Sequence, residues 1–346
     1  MNLDLIVSTN MSTSVSVIWH HAIGVVSLLC LLCGSLTNCL VIFVFVRNSR
    51  LRQPSNFLLI NLAVTDLGLL VTNNTLHVIA SFNEYWPFGQ IGCNFYAFTG
   101  GLCGLTSIAT MAAIALTRLM AVIDPFSSLK LTTQFTFKCI VCSWMYGLIW
   151  MIGPLFGWNR FVFEGFGTSC TFDYVSKDRW NRSFMLVLII GGFLIPLTII
   201  IVSYTIILMK LSKRVKSVLE LGENKHMKQV FRRTEVRATR MALLICGIYC
   251  LAWTPYALMT ILSQFGPSHL INMYTTSITG LFAKIAACID PFIYALSSST
   301  FRQHIYFYLR FRFLFRREPL PPSSSYYSLQ RKYLTPTLNR RLIPEH

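Results

Sequence analysis

The stretch 281-LFAKIAACIDPFIY-294 places Lys284 in the middle of an apolar run and follows it, six residues later, with Asp290-Pro291. A cation at the centre of a bilayer costs roughly 2.5–3.5 kcal/mol by insertion scales, so a lysine there needs a partner or a task. If the run spans a membrane, Lys284 marks a functional site. The surroundings decide whether it does.

Hydrophobic residues make up 54% of the 346, charged ones only 12%, and the mean hydropathy is +0.55. Too few charges remain to cover a soluble globule of this length, so the chain is a polytopic membrane protein. Seven stretches approach the roughly 20 apolar residues that a bilayer requires. They run from about 18–46, 56–81, 90–123, 136–157, 182–212, 236–264 and 269–296. No internal repeat and no second soluble domain is visible. The N-terminus lacks a basic segment ahead of an apolar core, which argues against a cleaved signal peptide.

The net charge of +17 would suggest nucleic acid in a soluble protein. Its distribution excludes that. With the N-terminus outside, the segments 47–55, 118–138, 210–240 and 297–346 face the cytoplasm and hold 25 of the 30 Lys and Arg residues. That asymmetry is the positive-inside rule for an N-out, C-in chain, with added attraction to anionic inner-leaflet lipid. The expected organisation is an extracellular N-terminus (1–17), a seven-helix domain (18–298), an amphipathic membrane-surface helix (299–315) and a disordered cytoplasmic tail (316–346). Asn10 in Asn10-Met11-Ser12 is a glycosylation acceptor, whereas Asn73-Asn74-Thr75 falls inside a span. Serines 323–325 are either phosphorylation sites, for a receptor kinase and arrestin, or solvated linker. No metal cluster, phosphate-cradling loop or hydrolytic triad appears in the sequence, and the chain does not read as an enzyme.

Several buried polar or special residues occur about once per span. They are Asn38, Asp66 in "NLAVTDLGLL", Arg118 in "IALTRLMAVIDP", Trp144, Pro196 with Tyr204, "AWTPY" at 252–256 and "DPFIY" at 290–294. As an ordered set they resemble the rhodopsin-like (class A) G-protein-coupled receptors over residues 20–315. Within that family a lysine six residues before the Asp/Asn-Pro of the last span is the mark of opsins, so Lys284 resembles the lysine that carries retinal as a Schiff base. The chemistry agrees, because an amine desolvated in an apolar pocket is a good imine-forming nucleophile. The segments 165–174, 235–257 and 281–294 look most like the neuropsin and peropsin branch of non-visual opsins.

The resemblance implies a plasma-membrane, light-sensing receptor holding 11-cis or all-trans retinal and signalling to a heterotrimeric G protein. A retinal photoisomerase is the alternative. It also implies a Cys93–Cys170 disulfide, which would contribute on the order of 4 kcal/mol in the chain-entropy model. The anion facing the Schiff base is assigned to Glu164, six residues before Cys170, because Tyr96 occupies the other family position and is neutral. Tyr96 or Ser169 would assist it. Glu164 as counterion implies a bistable pigment. The carried-over pocket is Tyr96, Gly104, Tyr174, Phe193, Tyr249, Trp253, Tyr256 and Gly280. The switch comprises Arg118 paired with Glu235, Asp66 facing Asp290, and Tyr204 and Tyr294. Thr117 stands where the family has an acid before Arg118, which implies raised dark activity or altered coupling. His77, facing the same region from the second span, is expected to be a packing histidine that at most tunes the colour.

Overall fold

The structure is a computed structural model that describes residues 15–123, 132–220, 225–266 and 271–297. Seven helices in it are long and apolar enough to cross a membrane. They are α1 (Val17–Arg47), α2 (Pro54–Asn83), α3 (Gly89–Ile123), α4 (Thr133–Leu155), α5 (Arg179–Lys213), α6 (Lys225–Phe265) and α7 (Met273–Ser297). Asn10, the segment 299–315, the tail 316–346 and the serines in it lie outside the described residues, as do the side chains of Glu235 and Tyr294.

Helix starts follow side-chain caps. Thr132 accepts from the backbone N–H of Phe135 at the start of α4, and Asp178 accepts from that of Asn181 at the start of α5. Asn272 accepts from the N–H groups of Tyr274 and Thr275, which sets the start of α7 a turn later than the apolar pattern predicts. Such caps satisfy donors that the first turn leaves orphaned. The basic segment expected on the cytoplasmic side over 210–240 is mostly helical, with the helix of α5 continuing beyond its span to Glu220 and α6 beginning at Lys225. Lys, Arg, Glu and Met are good helix formers, so both spans continue past their apolar windows.

Three π-turns interrupt the spans, at Cys30–Gly34 in α1, Leu70–Asn74 in α2 and Leu188–Leu194 in α5. The last sits directly ahead of Pro196, whose missing N–H breaks the helical ladder there. Polar side chains tie helix to helix where no water is available. Asn38 donates to Ala287 O (2.9 Å), Asn61 donates to Thr110 Oγ1 (2.8 Å), Trp144 donates to Asn61 Oδ1 (2.9 Å) and Ser107 donates to Thr65 Oγ1 (2.7 Å). Asn73 and Asn74 are buried in α2, so the sequon there is inaccessible.

Between α4 and α5 the chain forms an antiparallel hairpin of β1 (Phe161–Glu164) and β2 (Ser169–Phe172), with Glu164 opposite Ser169. Cys93 of α3 and Cys170 of β2 are joined in a disulfide across a sequence separation of 77, which closes the hairpin over one end of the bundle. Gly165 opens the turn at φ +65, and a Cβ there would stand 2.4 Å from Ser277 Oγ of α7. Only glycine lets the hairpin approach α7 this closely.

Candidate functional site

Lys284 is buried in α7, 8% exposed. Its Nζ lies 2.9 Å from Nδ1 of His77 on α2 and 5.8 Å from the centre of the Tyr96 ring on α3. Ser27 of α1 completes the group, with Oγ 2.9 Å from the same imidazole nitrogen. The expectation of a packing histidine at 77 is thereby corrected: the ring is hydrogen-bonded to the buried lysine of α7. A titratable side chain inside a span was a sequence signal for this role. Ser27 had none.

The hairpin turns Glu164 inward, 8% exposed, and its Oε1 has no hydrogen-bond partner. Burial pushes the Glu164 carboxyl up to about 7, against the opposing pull of the Tyr174 hydroxyl, the Lys284 charge and the Tyr256 hydroxyl. Ser169, expected to assist the carboxyl, instead directs its hydroxyl to the Glu164 backbone carbonyl. The buried Tyr96 ring contacts the indole of Trp86 edge-on.

Beside this polar end an apolar cavity of about 100 Å³ runs between α3, α5 and α6. A single water needs about 10–15 Å³ on the same measure, so the space is no packing defect. Gly104, Tyr174, Phe193, Tyr249, Trp253 and Tyr256, all expected, line it. Tyr96 borders the Lys284 end instead, and Gly280 does not line it. Sequence reasoning missed the aliphatic wall of Leu105, Ile108, Met185, Leu188 and Ile189, because such residues are indistinguishable from ordinary core. Tyr249 stacks on Trp253 and donates to Gly104 O at 2.6 Å, and Tyr256 bonds Thr171 of β2. A Cβ on Gly104 would stand 2.7 Å from Trp253 Cη2. Gly104→Val therefore forces the indole to move, and a thermal-unfolding assay should register the typical overpacking cost of about 1–3 kcal/mol.

Deeper in the bundle, Asp66 and Asp290 lie in contact with each other, and Asp66 also meets Ser107. Asp66 Oδ2 and Asp290 Oδ1 have no hydrogen-bond partner. Tyr204 OH lies 3.8 Å from Cys246 Sγ, linking α5 to α6. Thr117 gives its hydroxyl to Ile114 O of its own helix (2.9 Å), so it offers Arg118 no neutralising group.

Residues 37–294 match the family model described as 7 transmembrane receptor (rhodopsin family). The crystal structure of squid rhodopsin superposes with a TM-score of 0.81 at 31% identity, covering 88% of this chain and 89% of that one. The chain belongs to the opsins of the rhodopsin receptor family. The Gq-coupled rhodopsin of Mizuhopecten yessoensis is 35% identical over 295 residues, 83% of this chain and 59% of that protein. The melanopsin of Branchiostoma belcheri is 32% identical over 311 residues, 86% of this opsin and 44% of the relative. This opsin thus spans less than two thirds of the length of either relative.

Proposed function

We propose that this opsin is a light-sensing receptor of the non-visual, neuropsin-like kind. It carries retinal covalently on Lys284 with Glu164 as counterion, and it signals to a heterotrimeric G protein. The observation that carries this reading is one buried amine that lies within electrostatic influence of one buried carboxyl whose Oε1 is unsatisfied. An orphaned carboxylate oxygen facing a lysine is what a buried cation on that lysine requires, since an unpaired buried charge is strongly disfavoured. The cavity next to it suits the rest of the group: aromatic walls supply contact area, and Gly104 leaves the slot open.

Retinal would supply the light-driven isomerisation. The residues of this chain hold it and transmit the result. Trp253, stacked on Tyr249 and ahead of Pro255 in α6, is the side chain through which a change of shape in the cavity bears on that helix. By the family pattern, Arg118 with Glu235 would restrain α6 at the cytoplasmic end, and Asp66 with Asp290, Tyr204 and Tyr294 would complete the relay. The N-terminus is extracellular, as the basic residues require. The name of the Mizuhopecten yessoensis relative, Gq-coupled, supports a G-protein partner.

The test is the absorption spectrum of the purified opsin after incubation with 11-cis and with all-trans retinal, coupled to nucleotide exchange on added G protein in proteoliposomes. The expected result is a band that light shifts and a second wavelength restores, with exchange following the light. Light-driven conversion with release of retinal and no exchange would establish the photoisomerase instead.

A further inference from the structure

The imidazole of His77 is an acid–base group that counterion and pocket leave unused. It is 4% exposed and sits between Ser27 Oγ and Lys284 Nζ, each 2.9 Å from Nδ1. Three helices, α1, α2 and α7, thus bring a hydroxyl and an amine to the same imidazole nitrogen. Nδ1 carries either one proton or one lone pair. Facing an ammonium it accepts; facing a free amine it can donate. A proton therefore passes between Nδ1 and Nζ without movement of either side chain.

The other titratable groups bearing on Lys284 act differently. Glu164 from the hairpin bears on the amine electrostatically rather than through a hydrogen bond, and Tyr96 presents its ring face rather than its hydroxyl. Among the described residues, His77 is the side chain that stands within hydrogen-bond distance of the Lys284 amine. An amine attacks a carbonyl only after losing its proton, and inside a membrane span bulk water does not stand by to take it.

We propose that His77, its ring oriented by Ser27 at the same Nδ1, is the acid–base partner of Lys284 in making and breaking its bond to an aldehyde. The proposal rests on the reading of Lys284 as the attachment site. Nδ1 takes a proton from the Lys284 ammonium, and Nζ then forms the C–N bond to the aldehyde carbon. The carbonyl oxygen takes the proton from His77 and a second from the nitrogen, and leaves as water. One proton stays on the C=N nitrogen, whose positive charge faces Glu164, and His77 ends as it began. Hydrolysis is the same sequence reversed.

The experiment uses the full chain in nanodiscs and two probes. The first is 11-cis retinal, followed by growth of its band. The second is pentanal with cyanoborohydride, followed by peptide mass at Lys284, which needs no light and no chromophore. His77→Phe should slow attachment of both by about 100-fold or more, within the usual range for acid–base groups. His77→Gln, which keeps a polar group but cannot exchange the proton, should be nearly as slow. Ser27→Ala should slow attachment several-fold and serves as the readout if His77 variants do not fold, as judged by thermal unfolding. The amount of Lys284 product at completion should be unchanged in each. Attachment within twofold of the native rate in His77→Gln and Ser27→Ala would overturn the role of His77 while leaving Lys284 in place. Absence of a Lys284 product from the native chain would overturn the attachment site itself.

Discussion

Lys284→Ala abolishes the retinal-dependent absorption band of this opsin, before and after illumination. The amine is the only group in the site that can form a covalent C=N bond, and the apolar cavity by itself offers retinal contact without attachment. Lys284→Arg sharpens the test. It keeps a positive charge and a long stem, but the guanidinium stays protonated at any accessible pH and does not act as a nucleophile. Both variants should therefore bind retinal without the shifted band, as measured by spectra of the purified proteins. A light-shifted band surviving in either would place the attachment elsewhere and leave Lys284 as the structural partner of His77.

Glu164→Gln should produce two separable effects. With retinal attached, loss of an opposing charge lowers the proton affinity of the C=N nitrogen by roughly 1–3 pKa units, so the visible band gives way to an ultraviolet one at a correspondingly lower pH. Without retinal the same substitution acts on stability. The Glu164 carboxyl is raised to about 7 by burial, so the folded chain holds a proton that the unfolded chain has already released. Stability is then highest below the ordinary carboxylate range and is lost as pH rises towards about 7. The loss amounts to about 3 kcal/mol, levelling off above that pH. Thermal unfolding of the retinal-free protein from pH 4 to 8 should show this decline, and Glu164→Gln should flatten it. A native profile that rises over the same interval would mean that Glu164 is already paired as a carboxylate.

The architecture was legible because insertion into a bilayer is a sum over contiguous residues. Seven apolar windows lie within a few residues of the seven helices, and the exceptions have local causes. Asn272 delays α7 by capping it, and the charged ends of α5 and α6 remain helical because their residues favour helix. Glu164 was legible only through family resemblance. Its burial depends on a hairpin closed by the Cys93–Cys170 bridge and seated against α7 through Gly165, neither of which a hydropathy pattern registers.

By itself, then, the sequence determined a seven-span membrane chain, its charge asymmetry and a lysine stranded in the last span. Tertiary structure alone decided what that lysine meets. His77 lies 207 positions away, and it reaches Lys284 only because α2 presents that face to α7. The π-turn at Leu70–Asn74 lies between Asp66 and His77, and one extra residue in a turn rotates everything beyond it by roughly 100°. A regular helix would aim the imidazole elsewhere. Spacing along a chain specifies which residues lie in the membrane, but rotation about each helix axis is set by packing between helices, and that rotation brings Ser27, His77 and Lys284 to one point.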